Sequence, residues 1–370
     1  MKIIKKLTAF LLLIVTLLNF MGCEKTFDLG VPSLEKHPAG VPARCMWDVK
    51  VFDGKVYVGM GDYSSNTSPT DIWAYDIDTS EWIKSGTVED EAVLRFIELD
   101  GTLVAPGTDP AENWDYGNYY TLKNGIWEKS RVLPDVIHNF DIVDFDGKRI
   151  YGVGADYGIY PALYTTDGEN FTYFDFYKNN ELYQMASEYY ARGYEFFAFN
   201  NQLYVLVRHN HAGQNTASLN IFKYDNGAFY YYCDATEFFK SVRVSENIIN
   251  AKAEFSDKYF FVTDYLYYTT QTDAFKTNYK VTLPNDEKVA SFKIIEDEML
   301  ILSYLENEDG TYSITFYETE LGTEDFDKVY SFTYDVPPVS FDVFDGYAYV
   351  GMGNRVKFNK ANGTMLKIKI

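Results

Sequence analysis

Phe52-Asp53-Gly54-Lys55-Val56-Tyr57-Val58-Gly59-Met60-Gly61 recurs as Phe344-Asp345-Gly346-Tyr347-Ala348-Tyr349-Val350-Gly351-Met352-Gly353, with eight of ten positions identical at an offset of 292. Each copy reads as a strand end, a tight turn and a second strand. Asp-Gly tolerates the positive φ that a two-residue hairpin demands. Weaker copies lie between them: IELDGTLVAPG (97–107), VDFDGKRIYGVG (143–154), FAFNNQLYVLV (197–207), AEFSDKYFFVT (253–263) and KIIEDEMLILS (293–303). With the first turn residue as anchor, the repeats fall at Asp53, Asp100, Asp146, Asn200, Ser256, Glu296 and Asp345, spaced 47, 46, 54, 56, 40 and 49 residues apart.

A strand-rich period of roughly 40–50 residues is the pattern of a propeller array. The expected fold is all-β: a seven-bladed β-propeller of four-stranded antiparallel blades over 44–370. The first unit parses into strands at 46–52, 55–60, 71–76 and 80–84. The third parses at 139–145, 148–153, 162–166 and 170–176, and the last at 340–344, 347–352, 355–359 and 364–370. A β-sandwich or an open solenoid would also repeat strands. Near-identity of the first and last units favours a closed ring, in which both ends need equivalent packing partners. The 18% aromatic content suits pleated surfaces.

The spacing resembles Kelch repeats, with Gly-Met-Gly where those carry paired glycines. Thr165-Thr166-Asp167-Gly168-Glu169-Asn170-Phe171 resembles the Asp-box turn of sialidase-like propellers, one residue short. Tyr120-Thr121-Leu122-Lys123-Asn124-Gly125-Ile126-Trp127 is a looser version. That resemblance implies architecture and not chemistry, because the Asp-box is a structural hairpin. The arginine triad and Phe/Tyr-Arg-Ile-Pro segment of sialidases have no counterpart: Arg149-Ile150 is followed by Tyr151.

Residues 1–23 begin with Lys2, Lys5 and Lys6, followed by an apolar run of fourteen residues from Leu7 to Phe20. That is a signal-peptide pattern and is short for a membrane span. Phe20-Met21-Gly22-Cys23 resembles the bacterial lipobox, which implies a lipid-bearing Cys23. Glu24 in place of Asp then leans towards the outer membrane or cell surface. Residues 24–43, with three prolines, read as a tether. The expectation is a cell-envelope protein held at the membrane by its lipid.

The formal charge is −21, and losing the leader takes it to −24. Such a surface repels phosphate backbones, so nucleic acid is not an expected partner. Cys45 and Cys233 fall in distant repeats and are not expected to pair.

The loops after each second strand are long and polar: GDYSSNTSPT (61–70), GTDPAENWDYGN (107–118), ADYGIYP (155–161), RHNHAGQNTAS (208–218) and LENEDGTY (305–312). Loops on a rigid scaffold commonly carry function. Five residues before the anchors, the innermost strands carry Asp48, Arg95, Asp141 and Glu195, then Ala251, Ser291 and Ser340. Arg95 with Asp48 and Asp141 reads as a structural ion cluster, or as a ligand site joined by His138 and Arg192. The candidate ligand contacts are Asp48, Asp62, Tyr63, Arg95, Trp114, Asp115, His138, Asp141, Tyr157, Arg192 and Arg208. The opposite end, made of short hairpins, is expected to offer little to grip. His209 and His211 lack a third partner in register, so no metal is expected; no cofactor fingerprint or catalytic motif is visible.

Three readings remain. The first is an extracytoplasmic binding lipoprotein for a glycan, peptide or protein. The second is a glycan-active hydrolase or lyase on the same scaffold, working through carboxylates such as Asp48 and Asp141. The third is a structural or assembly lipoprotein.

Overall fold

The computed structural model describes residues 25–32, 44–61, 69–155, 160–176, 189–211, 217–239, 251–320, 325–354, 357 and 359–370. Cys23 and the signal-peptide reading lie outside these residues, as do Asp62, Tyr63 and Tyr157.

The chain folds as an all-β propeller of four-stranded antiparallel blades. Five such sheets stand free among the described residues. The first holds Asp48–Phe52, Lys55–Gly59, Thr70–Asp76 and Glu81–Val88. The second holds Ile97–Leu99, Thr102–Pro106, Tyr116–Lys123 and Ile126–Pro134. Two more run from Lys252–Phe255 to Tyr279–Lys280 and from Lys288–Ile295 to Asp327–Tyr334. The last holds Pro338–Phe344, Tyr347–Met352 and Met365–Lys369, with Thr26–Asp28 at its edge.

The expectation of seven separate blades needs correction. The third and fourth repeats lie in one ten-stranded sheet. Gly154 pairs with Arg192, which joins the two meanders at their loop-side ends. His138 pairs with Thr108, drawing in the short strands Thr108–Pro110 and Asp90–Ala92. The physical reason is that these strands run past their hairpins far enough to meet across the gap between blades.

Every anchor read from the sequence is a hairpin residue at positive φ: Asp53 46°, Asp100 50°, Asp146 50°, Asn200 51°, Ser256 57°, Glu296 55° and Asp345 50°. Gly59, Gly152 and Gly351, six residues past their anchors, serve a different need. A Cβ on Gly59 would sit 2.5 Å from the Val93 carbonyl oxygen, and one on Gly351 would sit 2.6 Å from Val49. The neighbouring sheet passes too close there for any side chain.

The closing arrangement differs from the expected one. Met365–Lys369 pairs directly with Tyr347–Met352, so it is the third strand of its sheet and not the fourth. The fourth is Thr26–Asp28, inside the stretch read as a tether, with Phe27 opposite Lys367. The ring is therefore closed by both ends of the folded chain. Trp82 Nε1 donates to the Leu29 carbonyl at 2.6 Å, tying this edge to the first sheet.

Apolar side chains fill the spaces between consecutive sheets. Tyr57, Ile72 and Ala74 pack against Phe96, Leu103 and Trp127, for example, and Met46, Val49 and Val58 pack against Tyr349 and Met365. Facing sheets bury both of their surfaces in this way. Carboxylates add polar latches between innermost strands. Asp48 accepts from Phe96 N at 2.8 Å, Asp141 from Phe196 N at 2.8 Å and Asp342 from Val51 N at 2.9 Å.

Candidate functional site

The charged starts of the innermost strands meet inside the channel. Arg95 Nη1 donates to Glu195 Oε2 at 2.8 Å, its Nη2 donates to Glu195 Oε1, and Asp141 Oδ1 lies 3.4 Å from Nη1. Lys252 joins from the next blade, bonding Asp141, Glu195 Oε2 at 2.9 Å and the Phe196 carbonyl at 2.8 Å. Burial would lower the Arg95 pKa, yet Glu195 and Asp141 outweigh it and hold the guanidinium charged. Burial likewise works to raise Asp141, but Lys252 and Arg95 prevail and keep it below its ordinary value.

Asp48 takes no ion-pair contact with Arg95. Its carboxylate accepts from Val49 N at 2.9 Å, Ser340 Oγ at 2.9 Å and Phe96 N at 2.8 Å. Burial still raises its pKa. The cluster is a network of matched charges, which is how buried charges persist. Counting five back from each anchor finds Ala251 and misses Lys252, because the fifth repeat places its cation one residue later.

The cluster's Arg95, Asp141 and Lys252 line a cavity of about 470 Å³ with Phe96, Phe196, Tyr259, Phe292 and Lys293. An end expected to offer little to grip thus has a recess. Its cations are already paired: Lys252 as above, and Lys293 with Asp342 at 3.1 Å.

The loop-rich side holds a second polar group. His138 stacks on Phe140 at 5.3 Å between ring centres, and Phe140 meets Tyr194 edge-on at 4.6 Å. Arg192 and Arg208 are direct cross-strand partners, and both act on the Tyr194 hydroxyl. Gly154 makes room for the group, since a Cβ there would lie 3.1 Å from the Arg192 side chain and 3.2 Å from His138. Asp109 Oδ1 is 3.4 Å from His138 Nδ1. Burial raises Asp109 to about 7, against the pull of Arg192 and with the push of Asp90. Burial lifts Asp90 to about 6, although Tyr120 Oη, at 2.5 Å, and Asn118 Nδ2 both donate to it. His138 is pushed well down by burial and by Arg192, so its imidazole is neutral at physiological pH. Asp90, Asp109 and Tyr194 escaped sequence reasoning. They lie in connections and bulged strands, where no fixed offset from an anchor applies.

Trp114 stands apart from both groups. Its loop is clamped by Arg131, whose Nη1 donates to the Tyr116 carbonyl at 2.6 Å and whose Nη2 donates to the Asn113 carbonyl at 2.8 Å. Asn113 Nδ2 bonds Asp115 Oδ2 at 2.7 Å, and Asp135 N donates to the Asp115 carbonyl at 2.9 Å. Trp114 is nevertheless 49% exposed and Tyr116 47%. The loop is held by these bonds while both rings stay about half exposed.

His209 is buried with Asn220 Nδ2 3.3 Å from its Nδ1. Cys45 is buried and Cys233 half-buried, unbridged. In the turn at 165–171, Asp167 Oδ1 accepts from Glu169 N at 2.9 Å and Asn170 N at 2.8 Å.

No family model matches this chain, and no curated protein matches it. Solved structures do. The crystal structure of the Mitotic Checkpoint Complex matches with a TM-score of 0.51 at 9% identity, over 94% of this chain and 95% of that one. The extracellular domain assigned to a hybrid two component system from B. thetaiotaomicron matches at 0.50 and 13%, over 88% of this chain and 38% of that one. The β-propeller domain of the Trilobed protease from Pyrococcus furiosus, described as an open velcro topology, matches at 0.48 and 12%, over 87% and 94%. The likeness is of fold alone.

Proposed function

We propose that this protein is an extracytoplasmic, lipid-anchored binding protein that grips a glycan at the loop-rich end of its ring. The observation that carries the reading is the clamped loop that presents Trp114 and Tyr116 half-exposed. Exposed aromatic faces on a loop already ordered lose little entropy on binding, and they stack on the apolar faces of sugars. We further infer that the two meanders of the ten-stranded sheet act as separate blades, which gives a ring of seven.

Trp114→Ala tests the binding face. On a glycan array, the substitution is expected to weaken a wild-type hit by roughly thirty-fold or more, as loss of an aromatic anchor worth about 2 kcal/mol would. Unchanged binding by the folded variant would move the site elsewhere. Capture of a peptide or protein in place of a sugar would keep the face and change the ligand class.

The anchor has its own test. Cys23→Ser is expected to take up no fatty acid and to leave the membrane fraction; undiminished labelling would overturn the lipid assignment.

A glycan-active enzyme is the second reading. It is favoured by two carboxyls that titrate near neutrality, Asp90 and Asp109, beside the neutral His138. Release of new chain ends from an array hit, lost in Asp109→Asn, would support it, and an unaltered glycan would leave binding alone.

A further inference from the structure

We propose that the cavity of about 470 Å³ beside the Arg95 cluster is a second binding site, and that it takes a flat, uncharged ring compound bearing a carbonyl oxygen. No residue of the Trp114 loop lines this cavity, so the site is independent of the glycan reading.

The shape comes from the innermost strands. Their lining stretches are 94–98, 141–143, 251–253 and 292–294, with Phe196 and Ala198. Each runs from the level of the charged cluster towards its own hairpin. Arg95, Asp141 and Phe196 are buried, whereas Glu98 and Ala198, each two residues before a hairpin anchor, are exposed. The recess therefore has a closed, charged floor and an open mouth. Between them the walls are aromatic: Phe96, Phe196, Phe292 and Tyr259 are each at most 7% exposed. A preformed pocket of this size and lining suits a flat apolar ring.

The charges exclude an ionic ligand. Three cations of the lining, Arg95, Lys252 and Lys293, stand against three carboxylates, Asp48, Asp141 and Glu98. Glu195 and Asp342 pair with the cations as well, and Lys50 lies 3.6 Å from Glu98. A ligand with a net charge would enter a recess whose charges are already matched, and its own would stay unpaired.

The hydrogen bonds say what the ring must carry. The buried carboxylates are engaged: Asp141 accepts from Ile142 N at 3.0 Å, Phe196 N at 2.8 Å and Lys252, and Asp48 accepts from three donors. Lys252 has an acceptor for each of its three N–H groups. Donors remain elsewhere. Lys293 Nζ has Asp342 Oδ1 at 3.1 Å and two further N–H groups. Tyr259 is 5% exposed, and its hydroxyl makes no hydrogen bond among the described residues. Burial, with Asp141 and Glu195 nearby, keeps that phenol protonated and so a donor. An acceptor without charge satisfies such donors, and a carbonyl oxygen is one.

The test titrates 2-naphthamide, 2-naphthoate and 2-naphthamidine into the full-length protein, with binding read by calorimetry. The three share one ring system and nearly one shape, and they carry no charge, a negative charge and a positive charge. The amide is expected to bind saturably, and each ion about ten-fold more weakly or worse, since a charge without a partner is costly to desolvate. Ala198→Trp is expected to abolish binding by filling the mouth. Ala198 is exposed, so the larger ring displaces no core residue, and this variant also measures any uptake of the probe outside the recess. Tyr259→Phe, which removes a single oxygen, is expected to weaken the amide several-fold, as loss of a hydrogen bond does. It keeps the test decisive if Ala198→Trp does not fold. No saturable binding of the amide, amide binding that survives Ala198→Trp, or ions that bind as tightly as the amide would each overturn the proposal. Amide binding unchanged in Tyr259→Phe would overturn the assignment of a carbonyl-bearing ligand.

Discussion

Removal of residues 355–370 is expected to abolish cooperative unfolding. The deletion takes out Met365–Lys369, which lies between Tyr347–Met352 on one side and Thr26–Asp28 on the other. Met365, Leu366 and Ile368 are all fully or almost fully buried. At about 1.5–3 kcal/mol for each large apolar side chain, their loss approaches the whole stability of an ordinary domain. The damage spreads, because Tyr349 and Met365 form one cluster with Val49 and Val58 of the first sheet and with Met46 just before it. An unpaired sheet edge also replaces a packed contact. Deleting 25–32 alone is expected to cost much less, since Thr26–Asp28 is largely exposed and Phe27 is 40% accessible. Chemical denaturation of both truncations beside the full chain checks this. A 355–370 deletion with an unchanged midpoint and slope would mean that the last sheet does not hold the ring closed.

Glu195→Ala is expected to destabilise the protein by about 3–5 kcal/mol, the usual result of breaking a buried ion pair from one side. Glu195 is 1% exposed and takes bonds from both Arg95 and Lys252. Without it, the buried Arg95 and the half-buried Lys252 share the carboxylate of Asp141. Arg149→Ala supplies the contrast. Arg149 bonds Asp144 and Asp100 on the surface, where pairs are worth about 1 kcal/mol or less. Urea unfolding of the two variants should separate them clearly. A Glu195→Ala loss no larger than that of Arg149→Ala would mean that water in the channel already screens the cluster.

Arg95 and Asp48 illustrate how far the sequence could be read. Their common offset from the hairpin anchors placed both on innermost strands; Asp48 opens the strand Asp48–Phe52, whereas Arg95 lies two residues before Ile97–Leu99. The offset carried no information on partners. Arg95 turned to Glu195, a hundred residues on, while Asp48 took up the backbone of Phe96. Trp114 was picked out as a residue type in a loop, whereas its exposure depends on Arg131 holding that loop from the neighbouring strand.

What the sequence determined by itself is local: the hairpins, their spacing and the alternation of the strands. Asp53-Gly54 and its counterparts adopt positive φ whatever surrounds them, because turn geometry depends on a few adjacent residues. Tertiary structure decided everything that depends on distant segments meeting. Gly154 pairing with Arg192 merged two repeats into one sheet. Thr26–Asp28 completed the final sheet from the other end of the folded chain. The cross-strand arginine pair acquired a buried tyrosine beside it, and Lys252 reached two carboxylates on different repeats. Each of these joins groups tens to hundreds of residues apart. Their energies come from burial and charge pairing in the closed ring, which no local pattern of residues encodes.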